Sequence, residues 1–337
     1  MERFSGTSAA GLGCLLALAL TGCATSSGPA PDASPAPATG STAPSAPAYA
    51  PYVSATTASV TDTAGSPTTY NLAFVTAGGD DCTPEWNGTR ALTHAEVASR
   101  VARLKKDGAT VRVSFGGAFG KELAAACDTA SELAEAYGAA LDAAGSTQAD
   151  FDIEGDELTD AHSVALRSEA IALVQRERDG LEVSFTLPVM PSGLDADGLA
   201  LLASANDHGV RVSTVNLMTM NYGESYTGDM GDYALAAARA AHSQLKKVFG
   251  TSDARAWRGM ALTSMIGVND VDGETFTLQD ASQVAAFARQ KGIGWVSMWS
   301  AFRDRPCEKG NASADDPATD CSGVTQKPGA FATAFSG

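Results

Sequence analysis

Three carboxylates stand at alternate positions in the segment Asp150-Phe151-Asp152-Ile153-Glu154-Gly155. Successive side chains of an extended strand point to opposite faces. Asp150, Asp152 and Glu154 therefore share one face, and Phe151 and Ile153 the other. A column of acids contributes nothing to packing. Repulsion and desolvation instead raise the proton affinity of at least one member and make the group share protons. A carboxyl group held protonated near neutral pH is a general acid. A calcium loop can begin with a similar D-x-D-x-E-G pattern, but its closing Glu position is Ala161 here, which excludes that chemistry. A divalent-cation site completed from other strand ends stays open as an alternative. So does an acidic stripe on a solvated strand.

The acids need a scaffold. From Pro51 onward, eight short β-rich runs alternate with helical ones, at roughly 51–56, 69–76, 109–115, 148–154, 181–187, 211–220, 258–266 and 293–299. One helix is expected to open on a capping box at Thr93-His94-Ala95-Glu96 and run to about Lys106. Another is expected from near Asp160 to Gly180, a helix-stop glycine. The connection 57–68 is short and polar and is expected to lack its helix. Eight strand–helix alternations predict the α/β class and a (β/α)8 TIM barrel, with a doubly wound open sheet as the alternative. No G-x-G-x-x-G follows an early strand, which excludes a dinucleotide-binding version. The unusual residues fall at strand ends: Ser114-Phe115-Gly116-Gly117, Asp150 to Gly155, Met220-Asn221-Tyr222-Gly223, Met265-Ile266-Gly267, and Trp299. In a barrel these ends meet at one rim, where active sites lie.

At these segments the chain resembles glycoside hydrolase family 18. The family's fourth strand carries D-x-x-D-x-D-x-E. Asp150, Asp152 and Glu154 fill the last three places, and Thr147 stands where the first Asp would be. The family's S-x-G-G matches Ser114 to Gly117. The resemblance runs from about Tyr52 to Phe335, and includes Met298-Trp299-Ser300 and the Arg303-Asp304-Arg305 of a bacterial chitinase subgroup. It departs at the sixth strand, where M-x-Y-D reads Met218-Thr219-Met220-Asn221, followed by Tyr222.

The resemblance implies substrate-assisted hydrolysis of chitin or other β-1,4-linked N-acetylglucosamine oligosaccharides. Glu154 would be acid and base. Asp152 would orient the acetamido group and stabilise the oxazolinium ion, and Asp150 would share a proton with Asp152. Ser114, Gly116, Met220, Asn221, Tyr222 and Trp299 are the expected substrate-binding residues, with Trp299 as the floor under the sugar. Trp86, on the loop after the second strand, is read either as a substrate platform or as a packed loop residue. Tyr226 and Asp229 are weaker cleft-wall candidates. A non-catalytic chitin-binding lectin on the same barrel and an endo-β-N-acetylglucosaminidase acting on N-linked glycans are the alternatives.

Of 337 residues, 44% are hydrophobic and 18% charged, with a formal net charge of −16. The first figure supports a sizeable core. The last argues against a nucleic-acid partner, which needs clustered Lys and Arg. No cofactor or metal is expected, because His94, His162, His208 and His242 show no ligand spacing and are read as surface residues. A monomer is expected. The apolar run Gly11 to Leu20 is too short to span a membrane and reads as the core of a signal peptide over residues 1–22. Leu20-Thr21-Gly22-Cys23 resembles a lipobox, which implies a lipid anchor at Cys23 and export to the outer face of the cell membrane; plain secretion is the alternative. Residues 23–50 are a Pro/Ala/Ser-rich tether, and 51–337 the catalytic domain. With Cys14 cleaved away and Cys23 lipidated, Cys82, Cys127, Cys307 and Cys321 remain. An even number in an oxidising compartment suggests two disulfides. The local pairing, Cys82–Cys127 and Cys307–Cys321, is the simplest of three connectivities.

Overall fold

Eight parallel strands close into a ring. The computed structural model describes residues 47–308 and 319–337. The signal-peptide and lipobox assignments, Cys14 and Cys23 included, lie outside the described residues. The first barrel strand has two parts, Ala48–Tyr49 and Tyr52–Ser54. It is followed by Thr69–Ala77, Thr110–Gly116, Gln148–Asp152, Glu182–Pro188, Val212–Met218, Met260–Met265 and Trp295–Trp299. Each pairs in parallel with the next. Ala48 and Tyr49 pair with Trp295 and Val296, while Tyr52–Ser54 pairs with Asn71–Ala73. The first strand thus bonds the eighth on one side and the second on the other, which excludes an open sheet. It begins at Ala48, inside the segment read as tether, because the buried Tyr49 ring stacks on Phe335 with centroids 6.3 Å apart.

Helices follow strands two to eight: Ala95–Leu104, Ala130–Ala144, Ala161–Glu177, Ala196–Asp207, Met230–Val248, Leu278–Lys291 and Ala330–Ser336. Residues 57–68 form turns in place of a first helix, as expected. The capping box at Thr93 does not form. A turn from Ala91 O to His94 N moves the helix start by one residue, so His94 is the N-cap and gives no side-chain cap. The helix opened by Asp160 ends at Glu177, before Gly180.

The outer core packs outward-facing strand residues against this layer. Phe115 stacks on Phe151 at 5.2 Å, and Tyr137 of Ala130–Ala144 meets both rings edge-on. Inside the ring, around Asp150, the side chains are polar. Register places Ser114, Asp150 and Ser184 side by side, with Gly116, Asp152, Thr186 and Asn216 in the next layer up. Below them Arg112 donates to Asn71 Oδ1 at 2.6 Å and lies over the Trp295 ring. Both expected disulfides are present, Cys82–Cys127 and Cys307–Cys321.

Candidate active site

Asp150 sits fully buried at the centre of the ring. Its Oδ2 accepts from Tyr52 Oη at 2.8 Å and Ser114 Oγ at 2.7 Å. Its Oδ1 accepts from Ser184 Oγ at 2.6 Å and Thr186 Oγ1 at 2.8 Å. Four hydroxyl donors match the acceptor capacity of an ionised carboxylate. Asn216 Nδ2 then donates to both Tyr52 Oη and Thr186 Oγ1, and Thr263 Oγ1 donates to Asn216 Oδ1. Asp150 makes no hydrogen bond to Asp152 among the described residues, so the expected proton-sharing contact between them is not made.

Asp152 instead hydrogen-bonds Glu154. Burial holds the Asp152 carboxyl well above the usual carboxylate range, reinforced by the charges of Glu154 and then Asp150. It is therefore the neutral partner and donates. Glu154 is raised to about 7 by burial first and by the nearby Asp270 charge second, while the bond from Asp152 pulls the other way.

The S-x-G-G motif has a steric basis. Gly116 has φ +92°, and a Cβ there would stand 2.2 Å from the Asp152 carbonyl oxygen. Gly117 donates its N–H to that oxygen at 2.9 Å, and its own Cβ would strike the Phe74 ring at 2.8 Å. The two glycines let the third strand lie against the end of the fourth, which fixes the height of Asp152.

A cleft of about 460 Å³ opens above the acids. Its lining includes Glu154, Asp152, Trp299, Met220, Asn221 and Asp270. Trp299 is half-buried, stacks with Phe74 at 5.5 Å and meets Tyr52 edge-on at 5.8 Å. Its carbonyl accepts from Arg303, while Asp304 accepts the Phe331 and Ala332 N–H groups, so the Arg-Asp-Arg motif is scaffold for the eighth strand's end.

Several expected binding residues lie elsewhere. Ser114 and Gly116 act beneath the cleft, on Asp150 and on the Asp152 backbone, and are not part of its described lining. Tyr222 is buried against Tyr226 and Tyr233 at 5.8 Å each. The sixth strand ends at Met218, and the loop beyond it turns this ring away from the cleft. Asp229 is the N-cap of Met230–Val248. Trp86 is buried in the core, which settles its reading as a packed residue. His242 is buried too, stacked on Trp257 at 3.9 Å, because its ring completes an aromatic layer rather than facing water.

Asp270 was not legible as a site residue. Asn221, at φ +52°, donates Nδ2 to Asp270 Oδ2 and accepts the Asp270 N–H at Oδ1, both at 3.1 Å. Buried Glu274 accepts the backbone N–H of Gly223 at 2.9 Å. The amide at 221 can bridge to Asp270, where a carboxylate would repel it. Asp270→Asn removes a charge that raises Glu154. The alkaline limb of kcat/KM, where Glu154 loses its proton, is then expected to move to lower pH. A pH–rate profile checks this, and an unmoved limb would take Asp270 out of the acid's environment.

No family model matches the chain. The catalytic domain of a hyperthermophilic chitinase from Pyrococcus furiosus superposes with a TM-score of 0.75 at 33% identity, covering 86% of this chain and 93% of that one. This chain belongs to glycoside hydrolase family 18. Catalytic-site mutants of the same Pyrococcus domain complexed with chito-oligosaccharides match with a TM-score of 0.74 at 32% identity. Among curated proteins, this family 18 chain is 35% identical over 277 residues to a probable bifunctional chitinase/lysozyme of Escherichia coli strain K12. The match covers 77% of this chain and 31% of the relative. It is 33% identical over 276 residues to Endochitinase 11 of Metarhizium anisopliae, covering 77% and 52%. The chain thus matches about a third and about half the length of these two relatives.

Proposed function

We propose that the protein is a retaining, substrate-assisted hydrolase of β-1,4-linked N-acetylglucosamine polymers. The observation that carries this reading is the proton-bearing pair of Asp152 and Glu154 at the base of a cleft floored by Trp299. The chitinase relatives support the substrate class. In the first step the acetamido oxygen of the substrate attacks its own anomeric carbon. Glu154 gives its proton to the departing glycosidic oxygen as that bond breaks. The Asp152 carboxyl accepts the acetamido N–H and stabilises the cyclic oxazolinium ion. In the second step Glu154 takes a proton from water as the water oxygen adds to the anomeric carbon, which reopens the ring and restores the acid. Asp150 is held in place by its four hydroxyl donors, and its charge adds to the burial that keeps the proton on Asp152. Trp299 packs under the sugar ring.

The test is to incubate the protein with N-acetylglucosamine oligomers and follow the products by mass spectrometry. Shorter oligomers are expected, with the β configuration at the new end when it is read by proton NMR before mutarotation. Binding without cleavage would make the protein a lectin.

We also infer that it works outside the cytoplasm, anchored through Cys23. The two disulfides suit an oxidising compartment. Cys23→Ser is expected to leave unprocessed precursor or released protein, read by fractionation and blotting. Unchanged membrane association would refute the anchor.

A further inference from the structure

Phe119 is 88% exposed, and among the described residues only Val60 is a comparably exposed large hydrophobic side chain. A single exposed apolar residue is ordinarily unremarked. Two observations set this one apart. First, it lines the catalytic cleft, between Ala118 and Gly120, which line it too. Val60 lies in the turn after the first strand.

Second, the loop that carries it is held rigidly. On one side Gly117 is bonded to the Asp152 carbonyl and pressed against Phe74. On the other, Ala77 N donates to Lys121 O at 2.8 Å. Buried Glu122 accepts from Ala124 N, Tyr137 Oη and the buried Arg167 Nη2, at 2.8, 3.2 and 2.8 Å. Cys127 then ties the segment to Cys82. A phenyl ring presented to water on so fixed a backbone loses little entropy when a partner covers it. The sequence left Trp86 on the neighbouring loop open as either a platform or a packed residue, and that ring is buried. Phe119 is the aromatic that this pair of disulfide-linked loops leaves open.

The partner must be flat and partly apolar, and must arrive along the cleft. A pyranose ring has such a face, formed by its axial C–H bonds. We propose that Phe119 is the platform of an outer sugar subsite, covering one ring of an N-acetylglucosamine oligomer beyond those in contact with Trp299. This inference rests on the proposed substrate class and adds a chain-length preference to it. Phe119 takes no part in bond cleavage. It adds affinity that only oligomers long enough to reach it can use.

Glu154→Gln and Glu154→Gln/Phe119→Ala are to be titrated calorimetrically with the trimer, tetramer, pentamer and hexamer of N-acetylglucosamine. Loss of the ring is expected to raise the hexamer Kd about 3–10-fold, the scale of an aromatic contact. The effect should shrink toward the trimer. Phe119→Trp should restore hexamer affinity. The melting temperature should be unchanged, because the ring packs against nothing that folding needs. Equal affinity with and without the ring at every length would overturn the subsite while leaving the substrate class standing. So would a loss that is the same for trimer and hexamer. If the Glu154→Gln protein binds no oligomer of any length, the substrate class falls, and the subsite with it.

Discussion

The Glu154→Gln variant is expected to turn over N-acetylglucosamine oligomers about 10²–10⁴-fold more slowly than the parent protein while still binding them. The amide keeps the shape of the side chain and can accept the hydrogen bond from Asp152. It has no proton to give to a leaving oxygen and cannot take one from water. Single-turnover assays and calorimetry separate the two effects. Near-parental turnover would remove Glu154 from the mechanism. The same variant has a stability signature. The Glu154 carboxyl is raised from an ordinary 4.5 to about 7 in the folded protein. A group whose folded value is raised contributes stability below its unfolded value and loses it as pH rises through the folded one. Between about 4.5 and 7 the parent protein therefore gives up stability that the amide does not. The variant is expected to match it at pH 4 and exceed it by about 1–2 kcal/mol at pH 8. This is less than the full shift implies, because Glu154 is partly exposed and coupled to Asp152. Thermal melts at the two pH values check the sign.

Removal of the acetamido group from the substrate is expected to abolish cleavage. If the acetamido oxygen is the nucleophile, fully deacetylated chitosan and cello-oligosaccharides lack the reacting atom, although their backbones have the same β-1,4 geometry. Their rates should fall at least about 10³-fold, the order lost with an intramolecular nucleophile held in attack position. A thiazoline analogue of the cyclised intermediate should inhibit, because it resembles the ring-closed species that Asp152 is placed to stabilise. The Asp152 carboxyl is the group it should reach. Efficient hydrolysis of a substrate without the acetamido group would sink the mechanism. A thiazoline that binds without touching Asp152 would leave the nucleophile in place and refute only the role of that residue.

Much of the scaffold was legible because it is written in short-range chemistry. A strand alternates its faces with period two, so Asp150, Asp152 and Glu154 could be placed in one column from their spacing alone. Ser114 to Gly117 marked the end of the third strand, and the rim of a barrel followed from eight alternations. The paired cysteines were legible as local closures. The sixth-strand loop was not. One position of offset along a chain reverses a side chain, and past a strand end the loop path decides. Tyr222 therefore turns into a cluster with Tyr226 and Tyr233, whereas Asn221 meets Asp270 from the seventh strand's loop.

Tyr52, Thr186, Asn216, Asp270 and Phe119 carry no mark in the sequence either, being common residue types in unremarkable surroundings. Their roles come from register and ring closure, which set residues 98 positions apart, Tyr52 and Asp150, at 2.8 Å. Tertiary structure also decided which carboxylate keeps the proton. Identical column positions become a four-fold hydrogen-bond acceptor at Asp150 and a proton-holding acid at Asp152 only when neighbouring strands supply hydroxyls to one and leave the other to burial beside Glu154. Spacing determined that acids would meet; the surroundings of each, fixed by strands far away in the chain, determined what each acid does.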